Sequence, residues 1–218
     1  MDMQYIITTF LRVGSGIGTT LSLFFVTLIC SLPLGFLITI MMRCKVTPIK
    51  YCAKIYVFLL RSTPLVLQLL FIYFGLPFVP FIGKYLITGR FTATVIGFVL
   101  NYSAYFAEIF RGGLLAIDKG QYEAAKVLNF TPKQTMLHII LPQMLRVAMP
   151  SVSNETITLV KDTSLMFTLA VPEVLQFAKS AVCSTGKTFP FIVAGIIYLV
   201  MNTFITWGLN KIEKKLSF

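Results

Sequence analysis

Three ionisable residues, Glu155, Lys161 and Asp162, stand within the stretch from Val147 to Val171, which is long enough to cross a bilayer. A charged side chain at the centre of a span costs several kcal/mol, so such residues face a polar cavity or one another and are usually kept for function. Glu155 and Asp162 lie seven residues apart, two helical turns, and share a face. Lys161 is turned about 100° from Asp162. Together they offer both signs to a zwitterion: the carboxylates suit an ammonium or guanidinium group, and Lys161 suits a carboxylate. Asn101, in the middle of another apolar stretch, adds an amide. An internal ion-pair set that holds helices in register explains the same charges equally well.

These residues need a bilayer around them, and the composition supplies one. Of 218 residues 56% are hydrophobic and only 12% charged, with a mean hydropathy of +0.83. That balance excludes a soluble surface and disordered or collagen-like chains. The net charge of +11 fits basic cytoplasmic loops, and no recognition-helix pattern points to nucleic acid. Cys30, Cys44, Cys52 and Cys183 form no CxxC pair, and His138 is the single histidine, so neither a metal site nor a resident cofactor is expected. Gly14-Ser15-Gly16 could suggest an intramembrane serine protease, but His138 falls in a distant loop and a Ser/His dyad is poorly placed.

Charge-free runs locate the spans, since about 20 apolar residues cross the roughly 30 Å hydrocarbon core. The expected fold is an all-α membrane protein with five transmembrane helices at about 19–42, 52–76, 91–110, 147–171 and 188–210. Residues 1–18 then form an extracytoplasmic segment, 111–146 a cytoplasmic loop and 212–218 a cytoplasmic tail. A signal peptide is a poor match, because the first apolar run is too long and its basic residues follow it. With five spans, 12 of the 19 Lys and Arg fall on one face, which places the N-terminus outside and the C-terminus in the cytoplasm. Arg61 and Glu108 lie nearer that face, where anchoring or pairing is the expected role.

The loop carries helix punctuation of its own. Gln121 to Leu128 suits a short helix, with Asn129 as a left-handed C-terminal cap. Thr131 and Gln134 form a capping box around Pro132 at the first helical position, and the helix they start is expected to stop near Pro142, too short to cross. It lies either at the membrane surface or against a partner.

Glu123-Ala124-Ala125, the turn at Asn129 and Ile139-Ile140-Leu141-Pro142 resemble the EAA loop of permease subunits of ABC importers. Arg61-Ser62-Thr63-Pro64 with Gln68, the run from Ala104 to Gly113, and Lys161-Asp162-Thr163-Ser164-Leu165 are similar to polar amino acid permeases of the histidine/glutamine type. The resemblance covers Thr19 to Lys211. It implies a type I importer permease fold in a bacterial cytoplasmic membrane. The loop, through Glu123, Ala124, Ala125, Asn129, Thr131, Pro132, Leu141 and Pro142, would dock on one of two ATPase subunits, which use ATP and Mg2+. It further implies a second permease subunit, identical or not, an extracytoplasmic amino acid-binding protein, and substrate contacts at Asn101, Glu155, Lys161 and Asp162. Asn129 replaces the family's usual Gly, at modest conformational cost. No GxxxxGK[ST] loop is present, so the chain itself is not expected to be an ATPase. The rival reading is an ion-coupled secondary amino acid transporter, against which stand the short chain and the lack of an evident inverted repeat.

Overall fold

The computed structural model describes residues 3–81, 83–85 and 89–216, and the described residues are helical throughout their regular structure. In chain order the helices are α1 (Met3–Gly14), α2 (Ile17–Met42), α3 (Thr47–Ser62), α4 (Leu65–Phe78), α5 (Arg90–Leu115), α6 (Lys119–Val127), α7 (Pro132–Leu169), α8 (Val174–Thr185) and α9 (Phe189–Leu216). By length and apolarity three segments are able to cross a membrane: Met3–Met42, Arg90–Leu115 and Phe189–Lys215. The bent pairs α3–α4 and α7–α8 raise that number to as many as five.

The centre of the bundle is the packing of α2 on α5. Gly35 makes it possible: a Cβ there would fall 2.8 Å from Phe106 Cβ and 2.9 Å from Ser103 O, so only hydrogen fits between the helices. One turn on, the Thr39 hydroxyl lies 2.9 Å from both Gly35 O and Ala107 O, which satisfies it locally while tying α2 to α5. Tyr102, Phe98, Phe106, Leu23 and Leu69 fill the surrounding core.

Two features add to the sequence expectations and a third corrects them. The segment before Thr19 holds a helix, α1, which packs on α8 and α9 and whose Arg12 donates to Ser184 Oγ at 3.3 Å and Ser180 Oγ at 3.4 Å. α1 and α2 part at Ser15-Gly16, where a Cβ on Gly16 would meet the Glu173 and Val174 backbone at 2.4 Å. The stretch 52–76 is not one straight span: α3 and α4 meet at 107°. Pro64 is the cause, since it has no N–H to continue α3 and holds Thr63 extended, at φ −115° and ψ 144°.

Pro142 is the third, and the correction is substantial. The helix that Thr131 caps does not stop there but continues without a break to Asp162 and, as a tighter 3-10 turn, to Leu169. The residues before Pro142, Thr135–Ile140, widen into a π turn, in which Leu141 N–H bonds to Met136 O five residues back. That widening makes room for the pyrrolidine ring and for the bond Pro142 cannot donate, so the proline is absorbed rather than obeyed. The Val147–Val171 stretch is therefore the far part of a longer rod. After a left-handed residue at Ala170, α8 leaves at 51°, its first turn capped by Glu173, which accepts from Leu175 N and Gln176 N at 2.7 and 2.6 Å and from Tyr198 Oη at 2.8 Å.

Candidate functional site

The bend between α3 and α4 opens a cleft of about 460 Å³ against α5 and α7. Arg61 and Ser62 reach it from the end of α3, Thr63 and Pro64 from the corner, Asn101, Tyr102 and Tyr105 from α5, and Glu155, Thr158 and Asp162 from α7. Two carboxylates and one guanidinium thus face a common space, half-buried between helices. Glu155 and Asp162 share the face that their two-turn spacing requires. Asp162 is oriented by the buried Tyr102, whose hydroxyl donates to Oδ2 at 2.8 Å.

Asn101 lines the same cleft, yet its amide is already committed. Nδ2 donates to Leu60 O and Gln68 Oε1, both at 3.0 Å, and Gln68 Nε2 returns to Leu60 O at 2.9 Å and Thr63 Oγ1 at 2.8 Å. The Asn101–Gln68 pair satisfies carbonyls that the Pro64 corner leaves without helical partners, and so it fixes the shape of the cleft wall. Lys161 is turned away, as its 100° offset from Asp162 dictates. It lines a separate cavity of about 340 Å³ with Ser164, Leu175, Phe191, Gly195 and Tyr198, toward α9. The structure therefore brings Asn101, Glu155 and Asp162 together and leaves Lys161 out.

The cation in the cleft is Arg61, which sequence reasoning placed as an anchor. Its guanidinium lies 5.4 Å from the Tyr105 ring centre and 3.8 Å from Glu108, while Glu108 is held more closely by Arg111 through both carboxylate oxygens, with Arg111 Nε donating at 2.8 Å. The missed signal is Pro64: a proline three residues after a charged residue marks the break that opens a cleft beside Arg61. Among the described residues no group of three His, Cys, Asp or Glu side chains could hold a metal ion.

At the other end of α7 the loop is built as a rigid knob. Asp118 caps α6, which packs on the early turns of α7 with Ala125 buried and Tyr122, Met136 and Ile140 in one apolar cluster, and Gln143 Nε2 donates to Gln121 Oε1 at 3.0 Å. Glu123 and Ala124 remain exposed. Asn129 has φ 57°, and the bonds Phe130 N to Ala125 O at 3.0 Å and Asn129 N to Lys126 O at 3.1 Å make a Schellman closure around it. Thr131 and Gln134 form the reciprocal capping box that starts α7, with Pro132 in its first turn. Val127 and Leu128, 84% and 69% exposed, project from the turn, and Leu141 and Pro142 follow on the rod. The two exposed aliphatic side chains thus sit on a turn held rigid by a cap on either side.

Residues 31–218 match the family of binding-protein-dependent transport system inner membrane components. The chain belongs to that family. The permease is 35% identical over 99% of its length to 96% of the probable amino-acid ABC transporter permease protein YckA of Bacillus subtilis. It is 36% identical over 93% of its length to 91% of the arginine transport system permease protein ArtQ of the same organism. Its fold superposes on a crystal structure of an amino acid ABC transporter with histidines at a TM-score of 0.89 and 31% identity, covering 99% of both chains. The chain is thus a membrane permease subunit of an amino acid ABC importer and not a secondary transporter. It is a multi-pass subunit that works with ATPase and substrate-binding components. ATP and Mg2+ belong to the ATPase partner.

Proposed function

We propose that the permease carries a polar amino acid with a cationic side chain through the Arg61–Glu155–Asp162 cleft by alternating access. Arg61 takes the α-carboxylate, and Glu155 and Asp162 take the α-ammonium and the side-chain cation. Two carboxylates against one guanidinium favour a substrate that brings an extra positive charge. The relative named for arginine transport supports the same class. Asn101 shapes the wall, and Lys161 takes no part in this cleft.

The observation that carries the proposal is the continuity of α7. One helix begins at the Thr131 cap beside the exposed turn and, 30 residues later, presents Asp162 to the cleft, about 45 Å away at 1.5 Å per residue. A displacement of the turn by an ATPase subunit therefore reaches the carboxylates along one unbroken helix, through the π turn before Pro142 and past Pro150. In this reading five spans place the N-terminus outside and the C-terminus in the cytoplasm of a bacterial inner membrane. Two ATPase subunits and a second permease subunit complete the pathway, which receives substrate from an extracytoplasmic binding protein.

The test is co-purification with the ATPase, then uptake into vesicles by wild type and Glu155→Gln. Assembly is expected to persist while uptake of a cationic amino acid falls roughly tenfold or more, the loss of one charge-assisted contact. Unaltered transport of cationic and zwitterionic substrates alike would remove Glu155 from the site.

A further inference from the structure

Away from the cleft, a slot of about 580 Å³ opens where α2 ends, walled by Phe36, Ile40, Leu114, Leu137 and Leu141. Its mouth carries Arg43 and Lys45, both exposed. The lining contains no carboxylate, and among the described residues neither cation makes an ion pair. Thr39, the main polar side chain deeper in the slot, already bonds to Gly35 O and Ala107 O. From Phe36 to Arg43 is seven residues, so the apolar wall runs about 10 Å inward from the cations.

We propose that this slot binds an anionic phospholipid. The phosphodiester sits between Arg43 and Lys45 and an acyl chain runs along Phe36 and Ile40. A free phosphate would use the mouth and leave the walls wet; a neutral lipid would use the walls and leave two cations without counter-charge. Only a molecule with an anionic head on an apolar tail satisfies both ends. The place in the fold fits such a ligand, because α2 is an apolar helix that changes to basic residues at this turn, the pattern of a membrane–water boundary. Leu137 and Leu141 belong to the first turns of α7, so a lipid seated here braces the rod just past the docking turn. The inference is independent of which amino acid the cleft carries.

The experiment uses the delipidated permease–ATPase complex in detergent and measures binding of phosphatidylglycerol, phosphatidylcholine and glycerol 3-phosphate by native mass spectrometry. Saturable retention of phosphatidylglycerol, without retention of the other two, is expected. Arg43→Gln with Lys45→Gln should weaken that retention roughly tenfold or more, since each surface cation contributes on the order of 1 kcal/mol toward an anionic lipid. Lys50→Gln with Lys54→Gln removes the same charge from the adjacent α3 and should leave retention unchanged. Equal loss in both pairs would mean bulk attraction and overturn the site. Glycerol 3-phosphate displacing the lipid at equal concentration would show that the walls are unused, and overturns it too. Retention by the permease alone that vanishes once the ATPase is bound would make the slot a partner surface instead.

Discussion

Arg61 occupies a position that neither its charge nor its sequence neighbours explain until the corner at Pro64 is taken into account. It stays on α3, and the chain's turn of 107° just beyond it opens the cleft that it shares with Glu155 and Asp162. Its link to Glu108 is loose at 3.8 Å and part-exposed, a contact worth about 1 kcal/mol or less, so its guanidinium is free to serve a ligand. Arginine can pair a carboxylate through two parallel bonds, which lysine cannot. We therefore expect Arg61→Ala to weaken binding of arginine to the solubilised permease–ATPase complex, assayed without the binding protein, by roughly tenfold to a hundredfold. Agmatine, which lacks the carboxylate, should bind wild type and variant alike. An equal loss for both ligands would make Arg61 a structural residue. The carboxylates themselves were legible in the sequence, because charges in an apolar span are rare and their spacing fixes their faces. The partner cation was not, since Lys161 is the nearer charge in sequence and only the helical offset separates it from the cleft.

At the scale of elements, structure is legible in the sequence where a few residues define it, and not where the backbone relaxes around them. The capping box of Thr131 and Gln134 and the left-handed Asn129 need only four or five residues to define them, and both are present. Pro142 shows the opposite case. A proline ordinarily ends a helix by clashing with the carbonyl four residues back, and nothing in the sequence announces the π turn over Thr135–Ile140 that relieves the clash. Likewise α8 is invisible as a span, being 12 residues long, and owes its start to the buried Glu173 cap. The loop knob makes a prediction of its own. Glu123 is exposed on α6 while Ala125, two residues on, is buried, so Glu123 can be changed without opening the core. Glu123→Lys should leave the permease folded, with a melting temperature near wild type, yet lower ATPase co-purification or uncouple hydrolysis from uptake. A complex that stays intact and fully coupled would count against docking through α6.

The molecule as a whole joins two surfaces of different character by one continuous helix. One surface is the exposed turn at Val127 to Phe130, the other the charged cleft, and α7 runs from the first to the second with α5 and α2 packed along it. Stiffness then matters more than contact at either end. Leu145 and Val147 lie between the two, both about half exposed, so shortening them removes little core packing. Each glycine in a helix interior weakens it by about 1 kcal/mol relative to alanine, mainly through backbone freedom. Leu145→Gly combined with Val147→Gly therefore softens the rod while leaving the docking turn, the cleft and the α2–α5 core as they are. In vesicles we expect the assembled complex to retain its basal ATP hydrolysis and its affinity for substrate, while the amount transported per ATP falls several-fold. Alanine at the same two positions, which removes the same side chains but keeps the helix stiff, should restore the ratio. If the alanine and glycine variants lose coupling equally, the side chains rather than the rigidity carry the signal, and if neither loses it, the movement reaches the cleft by another route than α7.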